Sequence, residues 1–188
     1  MVSVGLGRRE FVEALAAFPF GVGLSAQTSS APVVRRASGS GQANDIIKLP
    51  GGDSVHVKVS TQDSGGALFM TEQPIARRGS GPPRHYHEEQ DEWFYCLSGE
   101  YVVEIGDQRF RLAPGESVLG PRRLPHAFVY DGSGPGRILI GFTPAVRIEQ
   151  FFRDLEKRGE YFGNGSPEDK ELVHRLYGIV NVGPPLKL

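Results

Sequence analysis

The chain has a single cysteine, Cys96, which rules out an intrachain disulfide and any cysteine-based zinc cluster. It also lacks a charge bias: 21 Lys and Arg stand against 22 Asp and Glu, for a net charge of −1. No general electrostatic grip on DNA, RNA or an anionic membrane is therefore expected. Its uncharged stretch Ala14–Ala26 is too short for a membrane-spanning helix, which needs about 20 apolar residues. What the chain has in excess is glycine (25) and proline (14) among 188 residues, a composition that favours short strands joined by turns over a helical bundle. The length suits one domain, and 39% hydrophobic residues suffice for a core without covalent staples.

The N-terminus reads as an address. Arg8-Arg9-Glu10-Phe11 precedes the uncharged stretch, which ends in small residues before Gln27. A charged region, a short apolar region and a small-residue zone describe a signal peptide, and the arginine pair before an aromatic residue resembles a twin-arginine export signal. Residues 1–26 are thus expected to direct export to a bacterial periplasm, the alternative being an ordinary amphipathic helix on a cytoplasmic protein. Residues 27–45, rich in Ser, Ala and Gly, read as a flexible linker.

From Ile46 the periodicity is two. Val55, Val57 and Val59 alternate with His56 and Lys58, and Tyr101–Ile105 and Gln108–Leu112 flank Gly106-Asp107, a gap suited to a tight hairpin. Strands at this spacing predict an antiparallel sandwich or barrel over residues 46–143. Residues 144–188 change period. Ile148, Phe151, Phe152 and Leu155 fall on one helical face, with Thr143-Pro144 as the expected cap and Gly159 as the stop. A second helix is expected from Ser166-Pro167 to Gly178. Both helices are expected to cover the barrel or, in a homodimer, to meet a partner chain.

His85-Tyr86-His87 is the informative tripeptide. In a strand, residues two apart share a face, so the two imidazoles can hold one ion. Glu92 opens the next apolar strand, and His126 opens a later one. Three imidazoles and a carboxylate make a partly open site for one divalent transition metal, with Fe, Mn, Ni, Co, Cu and Zn all compatible. The other histidines carry less: His56 alternates with valines on an exposed face, and His174 lies in a solvated helix. Cys96 reads as a small core residue. The acidic run Glu88-Glu89-Gln90-Asp91 reads as a solvated loop, and Arg122 and Arg123 as surface charges or as anchors for an anionic substrate.

Gly79, five residues, His85, one, His87, four, Glu92, six, Gly99 matches the first cupin motif throughout. Gly115, five residues, Pro121 and then His126 resemble the second motif, with Arg123 where glycine is usual and Tyr130 where asparagine is usual. The chain thus resembles single-domain bacterial cupins of the quercetin-dioxygenase-like kind. The resemblance implies an all-β fold, a cupin-type jelly-roll barrel with two C-terminal α-helices. It also implies His85, His87, Glu92 and His126 as metal ligands. By strand parity, Phe94, Tyr101, Val103, Phe128 and Tyr130 then face inward, as a flat apolar substrate pocket or as plain barrel core.

The resemblance further implies a metal-dependent dioxygenase of a small aromatic or enolisable substrate, and the residues offer Glu92 as ligand and proton acceptor. A metal-cupin decarboxylase, lyase or isomerase, served by Arg122 or Arg123, is the first alternative. A non-catalytic small-molecule-binding cupin is the second.

Overall fold

In the computed structural model, residues 34–36, 45–161 and 166–188 are described. The expected export signal, residues 1–26, and most of the linker lie outside the described residues. Alternation of apolar and polar residues builds β1 (Ile46–Lys48), β2 (Ser54–Val59), β3 (Phe69–Ile75), β4 (Pro83–His87), β5 (Asp91–Ser98) and β6 (Tyr101–Ile105). There follow β7 (Gln108–Leu112), β8 (Ser117–Gly120), β9 (His126–Tyr130) and β10 (Gly136–Thr143). Two helices, α1 (Ile148–Arg158) and α2 (Pro167–Tyr177), precede a final strand, β11 (Ile179–Pro185). None of the described helices is long and apolar enough to cross a membrane.

The strands form a six-stranded sheet, β1-β2-β3-β10-β5-β8, and a five-stranded sheet, β11-β4-β9-β6-β7. From β3 to β10 the chain passes back and forth between the sheets, and only the β6–β7 hairpin stays within one. This is a jelly roll, with β1 and β2 extending one sheet and β11 the other. The inward faces share one core: Phe69, Phe94, Ile138 and Ile140 from the first sheet meet Tyr101, Val103, Phe128 and Tyr130 from the second. The Phe94 and Phe128 rings, 5.9 Å apart edge to face, tie the two layers together.

Two elements differ from the sequence reading. The cap of α1 is Arg147, not Thr143-Pro144. Thr143 is the last residue of β10, held there by register with Asp91, and its hydroxyl donates to the Ala67 carbonyl (3.1 Å). β11 is the second. Gly183, Pro184 and Pro185 speak against a strand in sequence, yet an edge strand tolerates them. β11 pairs with β4 through Ile179↔His87 and Asn181↔His85, with a shift in register before Pro185↔Pro83. The second helix is as expected: the Ser166 hydroxyl accepts from the Asp169 N–H (3.2 Å), and Gly178 ends it in the left-handed conformation.

α1 is fastened along the β1–β2 side. Glu149 accepts from the Thr61 N–H (2.7 Å) and Glu156 from the Lys48 N–H (2.9 Å). Its Phe152 ring lies 6.2 Å from both Phe69 and Phe142, so the apolar face of the helix points into the barrel. Tyr177 of α2 donates to Asp154 of α1 (2.8 Å) and joins the helices.

The loop from β3 to β4 lies flush on β9. A Cβ at Gly81 would stand 1.9 Å from the Phe128 carbonyl oxygen. Gly81→Ala is therefore expected to destabilise the domain by about 2 kcal/mol or more. The melting temperature should fall by about 5 °C or more. Gly134→Ala, where the added Cβ meets nothing within 4 Å, should leave it unchanged in the same thermal scan.

Candidate metal centre

β4 is the strand that carries the centre, and it is held from both sides. β11 pairs along one edge, while His85↔His126 joins it to β9 on the other. The peptides around His87 are fixed as well: its carbonyl accepts from the Arg123 N–H (2.7 Å), and the Glu88 N–H donates to the Gly178 carbonyl (2.9 Å). Arg123 adopts φ 64°, in the left-handed region that favours glycine, which explains the residue usual at that motif position. Its guanidinium donates to the Glu88 carbonyl (3.2 Å).

The structure brings His85, His87, Glu92 and His126 together, with one potential ligand atom from each lying within 4.8 Å of all the others. The three Nε2 atoms face one carboxylate oxygen, Glu92 Oε2, at 3.7 Å (His85), 3.0 Å (His87) and 2.8 Å (His126). The far nitrogens of two rings are committed. Nδ1–H of His85 donates to the Pro83 carbonyl (2.7 Å), and Nδ1–H of His126 to the Leu124 carbonyl (2.9 Å). These bonds select the tautomer that leaves an Nε2 lone pair pointing inward, as outer partners do around metal-bound imidazoles. Electron-rich atoms converging in a dry interior repel one another unless a cation stands between them. The donor set, three imidazole nitrogens and a carboxylate, fits a divalent transition ion.

Titration behaviour follows from the same packing. Burial pushes the Glu92 carboxyl up, but the three imidazoles outweigh it and hold the group well below its ordinary range. Burial pushes His87 down. For His126 the Glu92 carboxylate and the Leu124 carbonyl overcome burial and raise the pKa above 6.5.

His85, His87 and Glu92 open onto a cavity of about 430 Å³, within the range of small-molecule sites. His126 is fully buried behind Glu92. Of the residues read as pocket wall, Phe128 lines this cavity. Phe94, Tyr101, Val103 and Tyr130 are at most 1% exposed and belong to the solid half of the barrel. Tyr130 is wedged against Gly99, Gly132 and Gly136, where any added Cβ would meet its ring within 2.7 Å. The opposite wall comes from a helix that by sequence alone is expected to cover the barrel. Ile148, Phe151, Phe152 and Leu155 of α1 line it, with Phe142 of β10 and Asn181 of β11. The helical period did mark those α1 residues as an apolar face; what it faces is the cavity.

Arg122 is turned away, its backbone N–H and guanidinium both on the Asp91 carboxylate at 2.8–3.0 Å. Asp91 is thereby held at about 2. His56 is half-buried beside Ser54 (3.1 Å) instead of exposed, because β2 runs between β1 and β3 with Ile46 and Glu72 on either side of it. His174 pairs with Glu88 (3.1 Å) at the surface. Cys96 is a buried core residue, its thiol pushed up by burial.

Residues 75–142 match the model of the cupin domain family. Quercetin 2,3-dioxygenase of Bacillus subtilis (strain 168) is 29% identical over 108 residues, which is 57% of this chain and 32% of that protein. Tetracenomycin polyketide synthase protein TcmJ of Streptomyces glaucescens is 29% identical over 79 residues, 42% of this chain and 53% of that one. The chain thus spans only about a third to a half of the length of these curated relatives. Among solved structures, an RmlC-like cupin from Shewanella frigidimarina aligns with a TM-score of 0.47 at 19% identity, over 61% of this chain and 96% of that one.

Metal and protons compete for the imidazole nitrogens, and the Glu92 carboxylate raises the His126 pKa, so affinity falls as pH falls. Lowering pH from 8 to 5.5 should weaken the binding of Zn(II) or Mn(II) by at least about tenfold, read by competition with a chelator. Adding metal should raise the melting temperature of the wild type and leave that of His87→Ala unmoved.

Proposed function

We propose that this cupin-superfamily protein is a metal-dependent dioxygenase that acts on an aromatic or enolisable hydroxylated molecule. The observation that carries the reading is the convergence of the Nε2 atoms of His85, His87 and His126 on Glu92 beside an adjoining, mostly apolar cavity. A divalent ion held by His85, His87, Glu92 and His126 would supply Lewis acidity toward a substrate hydroxyl and activation of dioxygen. The chain does the rest. His85 and His87 fix the floor of the cavity through a strand held on both edges. Glu92, ionised and buried, is placed to accept the hydroxyl proton as substrate arrives. Phe128, Phe142, Phe151 and Phe152 offer flat apolar surface and exclude water from the reacting end.

The likeness to quercetin 2,3-dioxygenase supports the oxygenase over the decarboxylase or isomerase alternative. So does the engagement of Arg122 by Asp91, which removes one of the two cations that a small carboxylate substrate was expected to use. A periplasmic location, carried by the Arg8-Arg9 pair alone, is part of the same proposal.

Oxygen-electrode measurements on protein loaded in turn with Fe, Mn, Ni, Co and Cu, against flavonols, catechols and diketones, test the reading. Oxygen uptake with at least one metal and substrate is expected. Glu92→Gln should cut turnover per bound metal by about a hundredfold or more. Release of carbon dioxide from small carboxylates without oxygen uptake would replace the dioxygenase by a decarboxylase. Saturable binding without turnover would leave a binding module.

A further inference from the structure

The cavity has a second polar end. Beyond β3 the chain runs through Arg77, Ser80 and Gly81 before entering β4, and all three line the cavity. This segment is fixed on the far end of β9: the Gly79 N–H donates to the Tyr130 carbonyl (2.8 Å), and the Tyr130 N–H to the Ser80 carbonyl (2.9 Å). Tyr130 lies four residues along β9 from His126, so the Arg77–Ser80 end stands about 13 Å along the strand from the metal ligands. Between the two ends the wall is apolar, with Ile75, Ile140, Phe128 and Phe152.

Arg77 is set apart from the arginines around it. Arg78 pairs with Asp131, Arg84 with Glu104 and Arg122 with Asp91. Arg77 has no carboxylate within ion-pair distance among the described residues. Instead its Nε–H donates to the hydroxyl of the buried Ser80 (3.0 Å), which fixes the guanidinium plane. The other charged or phenolic groups at this end are Asp53 and Tyr161. Burial, then the Asp53 carboxylate, push the Tyr161 phenol up, and Arg77 opposes them, so the three share one electrostatic neighbourhood. A planar guanidinium with its Nη edge uncommitted is built to take a carboxylate through two hydrogen bonds.

We propose that Arg77 is a specificity residue for an elongated aromatic acid, whose oxygen-bearing head meets His85, His87 and Glu92 and whose carboxylate reaches Arg77 at the far end of the cavity. The inference rests on the reading of the metal end given above and adds the charge and length of the ligand. Neutral aromatics of the same shape fit the middle of the cavity and leave Arg77 to water. Asp53, with its negative charge at the same end, tempers the preference.

Two probes separate these cases: 3-hydroxyflavone, and the same molecule with a carboxylate at its 4′ position. Both are titrated by fluorescence into zinc-loaded protein, so that binding is read without turnover. Wild type should bind the carboxylate roughly tenfold more tightly than the neutral probe. The ratio should shrink with added salt. Arg77→Met should bring the ratio close to one, Arg77→Lys should retain part of it, and Asp53→Asn should increase it. Arg77 is exposed and Asp53 half-buried, so thermal scans should show all three variants folded. Equal affinities in the wild type, a preference that survives Arg77→Met, or failure of both probes to bind would overturn the proposal. Oxygen uptake by a cavity without charge preference would remove Arg77 and leave the dioxygenase reading standing. A preference lost in Arg77→Met, in protein that never consumes oxygen, would do the reverse.

Discussion

Three imidazole nitrogens and one carboxylate oxygen facing each other in a dry interior form an arrangement that needs positive charge at its centre. The bonds from His85 to Pro83 and from His126 to Leu124 make the need specific, because they fix which ring nitrogen keeps its lone pair. Much of the surrounding structure serves to hold those atoms at that spacing. β4 is paired on both edges, the carbonyl of His87 is caught by Arg123, and Phe142 packs its ring 5.7 Å from that of His87. Arg123 keeps a left-handed backbone conformation at this point, a local cost borne by the hydrogen bonds on either side of it.

The barrel interior divides into two parts with different tasks. One half is solid: Phe94, Tyr101, Val103 and Tyr130 close-pack there and give the jelly roll its core. The other half is left open between the β1–β2–β3 flank and the β4–β11 flank, and α1 lies across it. The helix therefore replaces the side chains that would otherwise fill the gap and supplies an aromatic wall to the cavity. Glu149 and Glu156, bound to the backbone N–H groups of Thr61 after β2 and of Lys48 in β1, set the distance at which that wall stands.

The split explains how much could be read from the chain. The clustering of the four residues was legible because strand parity puts His85 and His87 on one face and the motif spacing ties them to Glu92. Parity also placed Phe94, Phe128 and Tyr130 on the inward side. It carries no information on depth along a strand or on which half of a barrel stays empty, so three of the aromatic residues read as pocket wall pack in the solid half instead. Depth depends on register between strands distant in sequence, such as His85↔His126 and Ile179↔His87. β11 escaped because its Gly183-Pro184-Pro185 segment follows the local rules of a turn, and only the free edge of β4 makes it a strand. The departure at Arg123 was visible as a residue out of place, while its cause, a positive φ, belongs to the fold.

The central claim is a single divalent ion held by these four side chains, and anomalous diffraction at the absorption edge of the loaded metal reads it directly. One strong peak per chain is expected, within about 2.0–2.3 Å of Nε2 of His85, His87 and His126 and of a Glu92 carboxylate oxygen. A metal-saturated crystal with no peak there, or with its ion bound by other residues, would contradict it.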